Sequence, residues 1–90
     1  MLAGEAPVIT SPENNAVYIL RSGVPLDFQK ILFEASAAAD NRRLFWFLDD
    51  ELFSTALDES RLFYKPHPGN HRLMCVDDYG RSNSTTFHVQ

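Results

Sequence analysis

Apolar and polar residues alternate along most of this chain in short runs, broken roughly every ten residues by proline, glycine, asparagine or aspartate. That rhythm predicts seven or eight short strands and no long helix. Pro7-Val8-Ile9-Thr10 reads as an edge segment stopped by Ser11-Pro12, and Val17 to Leu20 as a second short strand ended by Ser22-Gly23 and Pro25. A strand over Lys30 to Ser36 places Ile31, Phe33 and Ala35 inward and Leu32 and Glu34 outward. The alanine-rich stretch Ala35 to Asp40 is too short to hold a helix unaided and reads as a loop or single turn. Arg43 to Asp49 is the central strand, with Leu44, Trp46 and Leu48 on one side and Phe45 and Phe47 on the other. Asp49-Asp50 turns the chain, and Glu51 to Thr55 returns as a short strand. Ala56 to Arg61 is a polar connection, and Leu62 to Lys65 is one further strand.

The last third is the most explicit. Pro66, Pro68 and Gly69 form a corner where no regular ladder runs, followed by a strand from His71 to Val76. Asp77-Asp78-Tyr79-Gly80 carries aspartate at the first and glycine at the fourth position of a type I turn. With Asp78, Tyr79 and Gly80 in the loop, Asp77 faces Arg81, Cys75 faces Asn83, Leu73 faces Thr85 and His71 faces Phe87. Leu73, Cys75, Phe87 and Val89 then share one face; a loop one residue shorter or longer would set Phe87 opposite Arg72 and split them. The fold class that follows is all-β: an immunoglobulin-like or fibronectin III-like antiparallel β-sandwich of about seven strands. Its expected core is Ile31, Phe33, Leu44, Trp46, Leu48, Leu73, Cys75, Phe87 and Val89. Trp46 packs across the sandwich as in immunoglobulin-like domains, without their cysteine pair.

Ninety residues make one domain with one modest core. Residues 1–6 read as a disordered lead or one added for expression, and 7–90 as the single sandwich domain. The formal charge of −4 argues against a nucleic-acid footprint. No apolar run is long enough to span a membrane, and no signal peptide is visible. A single cysteine forms no internal disulfide, and Cys75 reads as a small buried apolar residue.

Candidate chemistry is sparse. His67, His71 and His88 are the possible bases or ligands, but His71 and Asp77, six residues apart on one strand, lie ~20 Å apart, and His71 and His88 point to opposite faces. No converging set of three or four metal ligands is found, so no metal or cofactor is expected. Asp49-Asp50-Glu51 and Asp77-Asp78 lack the spacing of a calcium loop and suit turns instead. Asn83-Ser84-Thr85 matches a glycosylation acceptor only inside a strand. One surface feature stands out: if Trp46 and Leu73 point inward, Phe45, Phe47, Met74 and Val76 point outward as an apolar patch, the candidate interaction surface.

Four pieces in order, Pro7-Val8-Ile9-Thr10-Ser11-Pro12, Trp46-Phe47-Leu48-Asp49, Pro68-Gly69-Asn70-His71-Arg72-Leu73 and Val76-Asp77-Asp78-Tyr79-Gly80-Arg81-Ser82, carry a family likeness. The chain resembles, over Pro7 to Val89, the C-terminal domain of bifunctional class A penicillin-binding proteins of the 1C type. Asp50 departs from the glycine common there, which leaves the turn type open. The resemblance implies a parent peptidoglycan synthase anchored in the bacterial inner membrane and facing the periplasm. Such a parent polymerises lipid II glycan strands and carries a transpeptidase. This chain holds neither activity: Ser-x-x-Lys, Ser-x-Asn and Lys-Thr-Gly are all missing. The implied role is a non-catalytic accessory domain. Its expected partners are the parent transpeptidase domain, a periplasmic envelope protein, possible candidates being those of the α2-macroglobulin-like class, or peptidoglycan itself. The alternative is a carbohydrate-binding module for glycan strands, with Tyr18, Tyr64 and Tyr79 as candidate ring platforms. An independent enzyme would need a nucleophile or base beside an orienting partner, and none is visible.

Overall fold

The computed structural model describes residues 4–57 and 61–90, with backbone alone over 55–57. Eight strands appear among the described residues: β1 Val8–Ser11, β2 Ala16–Tyr18, β3 Ile31–Ser36, β4 Arg43–Leu48, β5 Glu51–Leu57, β6 Arg61–Tyr64, β7 Gly69–Asp77 and β8 Ser82–Val89. They form a three-stranded sheet, β1-β3-β6, and a five-stranded sheet, β2-β8-β7-β4-β5. The architecture is an all-β sandwich. Part of the polar connection expected over Ala56 to Arg61, and residues 1–3 of the expected lead, lie outside the described residues.

The β7–β8 hairpin has the register set by its loop. His71 pairs with Phe87, Leu73 with Thr85 and Cys75 with Asn83. The Gly80 N–H donates to the Asp77 carbonyl at 3.1 Å, and the Asp77 N–H to the Arg81 carbonyl at 2.9 Å. Gly80 sits at φ 80°, where a Cβ would be strained. The buried Asp77 carboxylate accepts from the Tyr79 N–H, the Arg81 N–H and Arg81 Nε, the last at 2.6 Å. Arg81 Nη2 reaches on to Asp40 at 2.9 Å, tying the β3–β4 loop to the hairpin. Those bonds hold the Asp40 carboxyl below the usual carboxylate range.

Trp46 (1% exposed) and Phe33 (0%) fill the space between the sheets. The Phe33 ring stacks on Tyr64 at 5.1 Å and on Trp46 at 6.2 Å, and meets Phe87 edge-on at 5.8 Å. Ile31, Leu44, Leu73, Cys75, Phe87 and Val89 complete the cluster. Leu48 is not among the buried residues: it packs against the cluster half-buried, because β4 ends there beside an open turn.

Three features depart from the sequence reading. β7 begins at Gly69, which pairs with Val89, so the corner is narrower than Pro66 to Gly69; glycine, at φ 128°, can bend and still join a ladder. The sandwich is not wholly antiparallel. β1 pairs with β3 in one sheet, then the chain passes the Ser11–Pro12 cis bond and β2 joins the other sheet parallel to β8. Nearly the whole chain separates β2 from β8, so no hairpin forces them antiparallel. A single 3-10 turn, Leu26–Phe28, follows Pro25, and the Gln29 amide pins this loop by bonding the Arg21 N–H and the Arg21 and Val24 carbonyls.

Candidate functional site

The outward side of the five-stranded sheet carries the candidate patch. Phe45 lies opposite Val76 and Phe47 opposite Met74, two adjacent cross-strand pairs on neighbouring strands. Each is half-buried rather than fully exposed, as expected where large side chains shield one another across a ladder. Leu52, opposite Phe47 on edge strand β5, extends the patch and is 57% exposed. It faces outward because the two-residue turn sets Leu48 opposite Glu51 and Phe47 opposite Leu52; the next residue, Phe53, turns inward against Phe33 and Tyr64, and a bulge there shifts the register of the rest of β5. Ser82 and Ser84 border the patch on β8. At one end, Arg42, Arg43, Phe45 and Asp78 line a shallow recess of about 300 Å³. At the other stands the acidic turn Asp49-Asp50-Glu51.

A second feature lies at that acidic end. Leu48 pairs with Leu73, so the next residue, Asp49, arrives beside Arg72. The Asp49 N–H donates to the Arg72 carbonyl at 2.9 Å, and Asp49 Oδ1 accepts from the Arg72 N–H at 2.9 Å. Asp49 Oδ2 lies 2.7 Å from His71 Nδ1, while His71 Nε2 lies 2.7 Å from the His67 carbonyl. Both ring nitrogens face acceptors, so both bonds form together only on a doubly protonated ring. Partial burial pushes the Asp49 carboxyl up, but the bonds from His71 and the Arg72 N–H outweigh it and hold the group below its ordinary value. An Asp–His pair invites a catalytic reading, yet Nε2, the atom a base would offer a nucleophile, is occupied by a carbonyl. The pair is a clamp joining the β4–β5 turn, the corner and β7. Reading along the strand toward Asp77 missed it, because the partner comes from a neighbouring strand.

Beside the clamp is an open cleft of about 460 Å³, lined by Asn15, Asp49, Asn70, Arg72, Thr86 and His88 among others. His88 Nδ1 lies 2.7 Å from Asn70 Oδ1. Among the described residues no three His, Cys, Asp or Glu side chains gather to hold a metal. Burial pushes the Cys75 thiol up to about 12, an unreactive core position. The tyrosines do not form one platform: Tyr64 is buried, Tyr18 packs edge-on against Phe87, and Tyr79 stands exposed under the Arg81 guanidinium. No helix of the described residues is long and apolar enough to cross a membrane.

Comparison with solved structures finds the fibronectin(III)-like modules of Clostridium thermocellum CbhA, at TM-score 0.67 and 19% identity. The match covers 94% of this chain and 46% of that one, so the chain spans under half the length of its solved neighbour. That likeness shows a shared fold. No curated protein matches the chain. A family model described as the penicillin-binding protein C-terminus family matches residues 1–87. The chain therefore belongs to the penicillin-binding protein C-terminus family.

Proposed function

We propose that the domain is a non-catalytic docking module of a bifunctional peptidoglycan synthase, held at the periplasmic face of the inner membrane by its parent. The observation that supports this is the outer face of β4 and β7. The core closes without Phe45, Phe47, Met74 and Val76, yet these four lie side by side and continue into exposed Leu52. A contiguous apolar surface of this kind on a small domain suits a protein contact. The parent catalytic region, or an envelope protein of the α2-macroglobulin-like class, is the partner in this reading. Binding of the isolated parent catalytic region to this domain tests it. Phe47→Asp is expected to weaken binding at least about tenfold, the loss of a central apolar contact, while the circular dichroism spectrum and melting profile remain those of a folded sandwich. Unchanged binding would remove the face from consideration.

The cleft supports a second reading, in which Asn70, Arg72, Thr86 and His88 hydrogen-bond a glycan strand. The dispersed tyrosines count against it. Retention on purified sacculi that is lost in the pair Arg72→Ala, His88→Ala would favour this reading over a protein contact.

A further inference from the structure

Among the described residues, the two apolar side chains left most open to solvent stand at one end of the sandwich, not on the outer face of β4 and β7. Ile19 is 72% exposed and Phe28 81%, and exposed Val24 lies between them on the loop from β2 to β3. The loop is not slack. The Leu20 N–H holds its start to the Gln90 carbonyl, the Val24 N–H donates to the Arg21 carbonyl at 3.4 Å, and the Phe28 N–H donates to the Pro25 carbonyl at 3.0 Å. The Gln29 side chain ties Arg21 to Val24 from within. Apolar residues scattered singly over a surface are ordinary; three on one pinned loop are not.

The charges around this loop differ in sign from the molecule. On a chain of formal charge −4, Arg21, Lys30 and Lys65 stand here against a single side-chain carboxylate, Asp27, which lies 3.6 Å from the Lys65 ammonium. Arg21 and Lys30 make no ion pair among the described residues. Exposed Phe63 sits two residues before Lys65 and widens the apolar area. The acidic turn Asp49-Asp50-Glu51 is three strands across the sheet from β2, ~14 Å by strand spacing, where Arg72 and His71 answer it. That exceeds the Debye length of ~8 Å at physiological salt. The chain enters the domain at the opposite end. Gly4 lies beside the Arg81 guanidinium at the β7–β8 hairpin, whereas the loop adjoins the end where Gly69 pairs with Val89. The nine residues of β7 separate the two by ~30 Å.

We propose that the loop carrying Ile19, Val24 and Phe28 is a contact site for an anionic lipid surface, on which the domain rests without crossing it. Apolar side chains ringed by lysine and arginine suit the boundary between headgroups and acyl chains. The rings and aliphatic groups enter the apolar layer, and the cations meet the lipid phosphates. The proposal is independent of the docking reading, which concerns the outer face of β4 and β7.

Co-sedimentation of the domain with vesicles tests it. The domain is expected to pellet with vesicles of phosphatidylglycerol and phosphatidylcholine in equal amounts, and at least about fivefold less with phosphatidylcholine alone. Phe28→Ser and Lys30→Glu, both at exposed positions, should each lower the partition coefficient about fivefold or more while the melting profile stays that of the natural chain. Phe28→Trp should report the contact directly, its emission moving to the blue when the mixed vesicles are added. No pelleting at lipid up to about 5 mM, well above the ~0.1 mM at which a single myristoyl chain is half bound, overturns the proposal, as does binding that Phe28→Ser leaves unchanged. If Phe28→Ser instead weakens capture of the parent catalytic region and the natural domain does not pellet, the loop is a protein contact and the lipid site is refuted.

Discussion

Asp49 joins three segments with two carboxylate oxygens and one backbone amide, reaching His71 and Arg72 from the end of a different strand. Its carboxyl titrates below the ordinary value in the fold, so its contribution to stability is full above the unfolded value, about 3.9, and is lost as the pH falls through the lower folded value. Urea midpoints measured from pH 7 down to pH 3 should fall less steeply for Asp49→Asn than for the natural chain. Asparagine keeps an acceptor for the Arg72 N–H but no charge toward His71. Equal steepness would assign the acid sensitivity elsewhere, first to Asp40, held low by Arg81. At this scale the sequence was readable where a residue's partner sits within its own hairpin, as for Asp77 and Arg81. It was opaque where the partner depends on which strands are neighbours, as for His71 and Asp49.

Among the elements, the turn between β4 and β5 is the most constrained. Asp49 and Asp50 lie at φ 51° and 69°, the left-handed pair that a two-residue type I′ hairpin demands. This resolves the turn type that Asp50 left open. L-residues tolerate that region at a cost, and glycine does not pay it. Asp50→Gly is expected to stabilise the domain by about 0.5–1 kcal/mol in chemical denaturation, since the surface pair with Arg72 that it removes contributes little. A destabilised variant would show that the ion pair outweighs the backbone strain. The β7–β8 hairpin was legible because its loop length and its apolar set admit a single register. The passage of the first strand from one sheet to the other was not. Short apolar runs such as Val8-Ile9 and Val17-Tyr18 reveal extended backbone but carry no mark of the sheet they join.

For the whole molecule, the ring of Phe33 is the hub, in contact with Trp46, Phe53, Tyr64 and Phe87 from both sheets. Removing it leaves a large void in a core too small to close over it. Phe33→Ala should lose about 3–5 kcal/mol in urea denaturation, a large share of the stability of a small domain. A loss below about 1 kcal/mol would mean that the sheets are held chiefly at their rims. Strand alternation puts Phe45, Phe47, Met74 and Val76 on one face, but Leu52 joins them only through the two-residue turn that sets it opposite Phe47, and that pairing needs the turn type, which Asp50 left open. The parallel pairing of β2 with β8 has a consequence of another kind. The Asn15 N–H bonds the Thr86 carbonyl, the Leu20 N–H the Gln90 carbonyl and the Gln90 N–H the Tyr18 carbonyl, so the two strands lie lengthwise along each other. Tension drawn through the two ends of the domain slides β2 against β8, straining these bonds together instead of peeling them one by one. Once β1 has given way, this seam is the part of the sandwich that bears mechanical load.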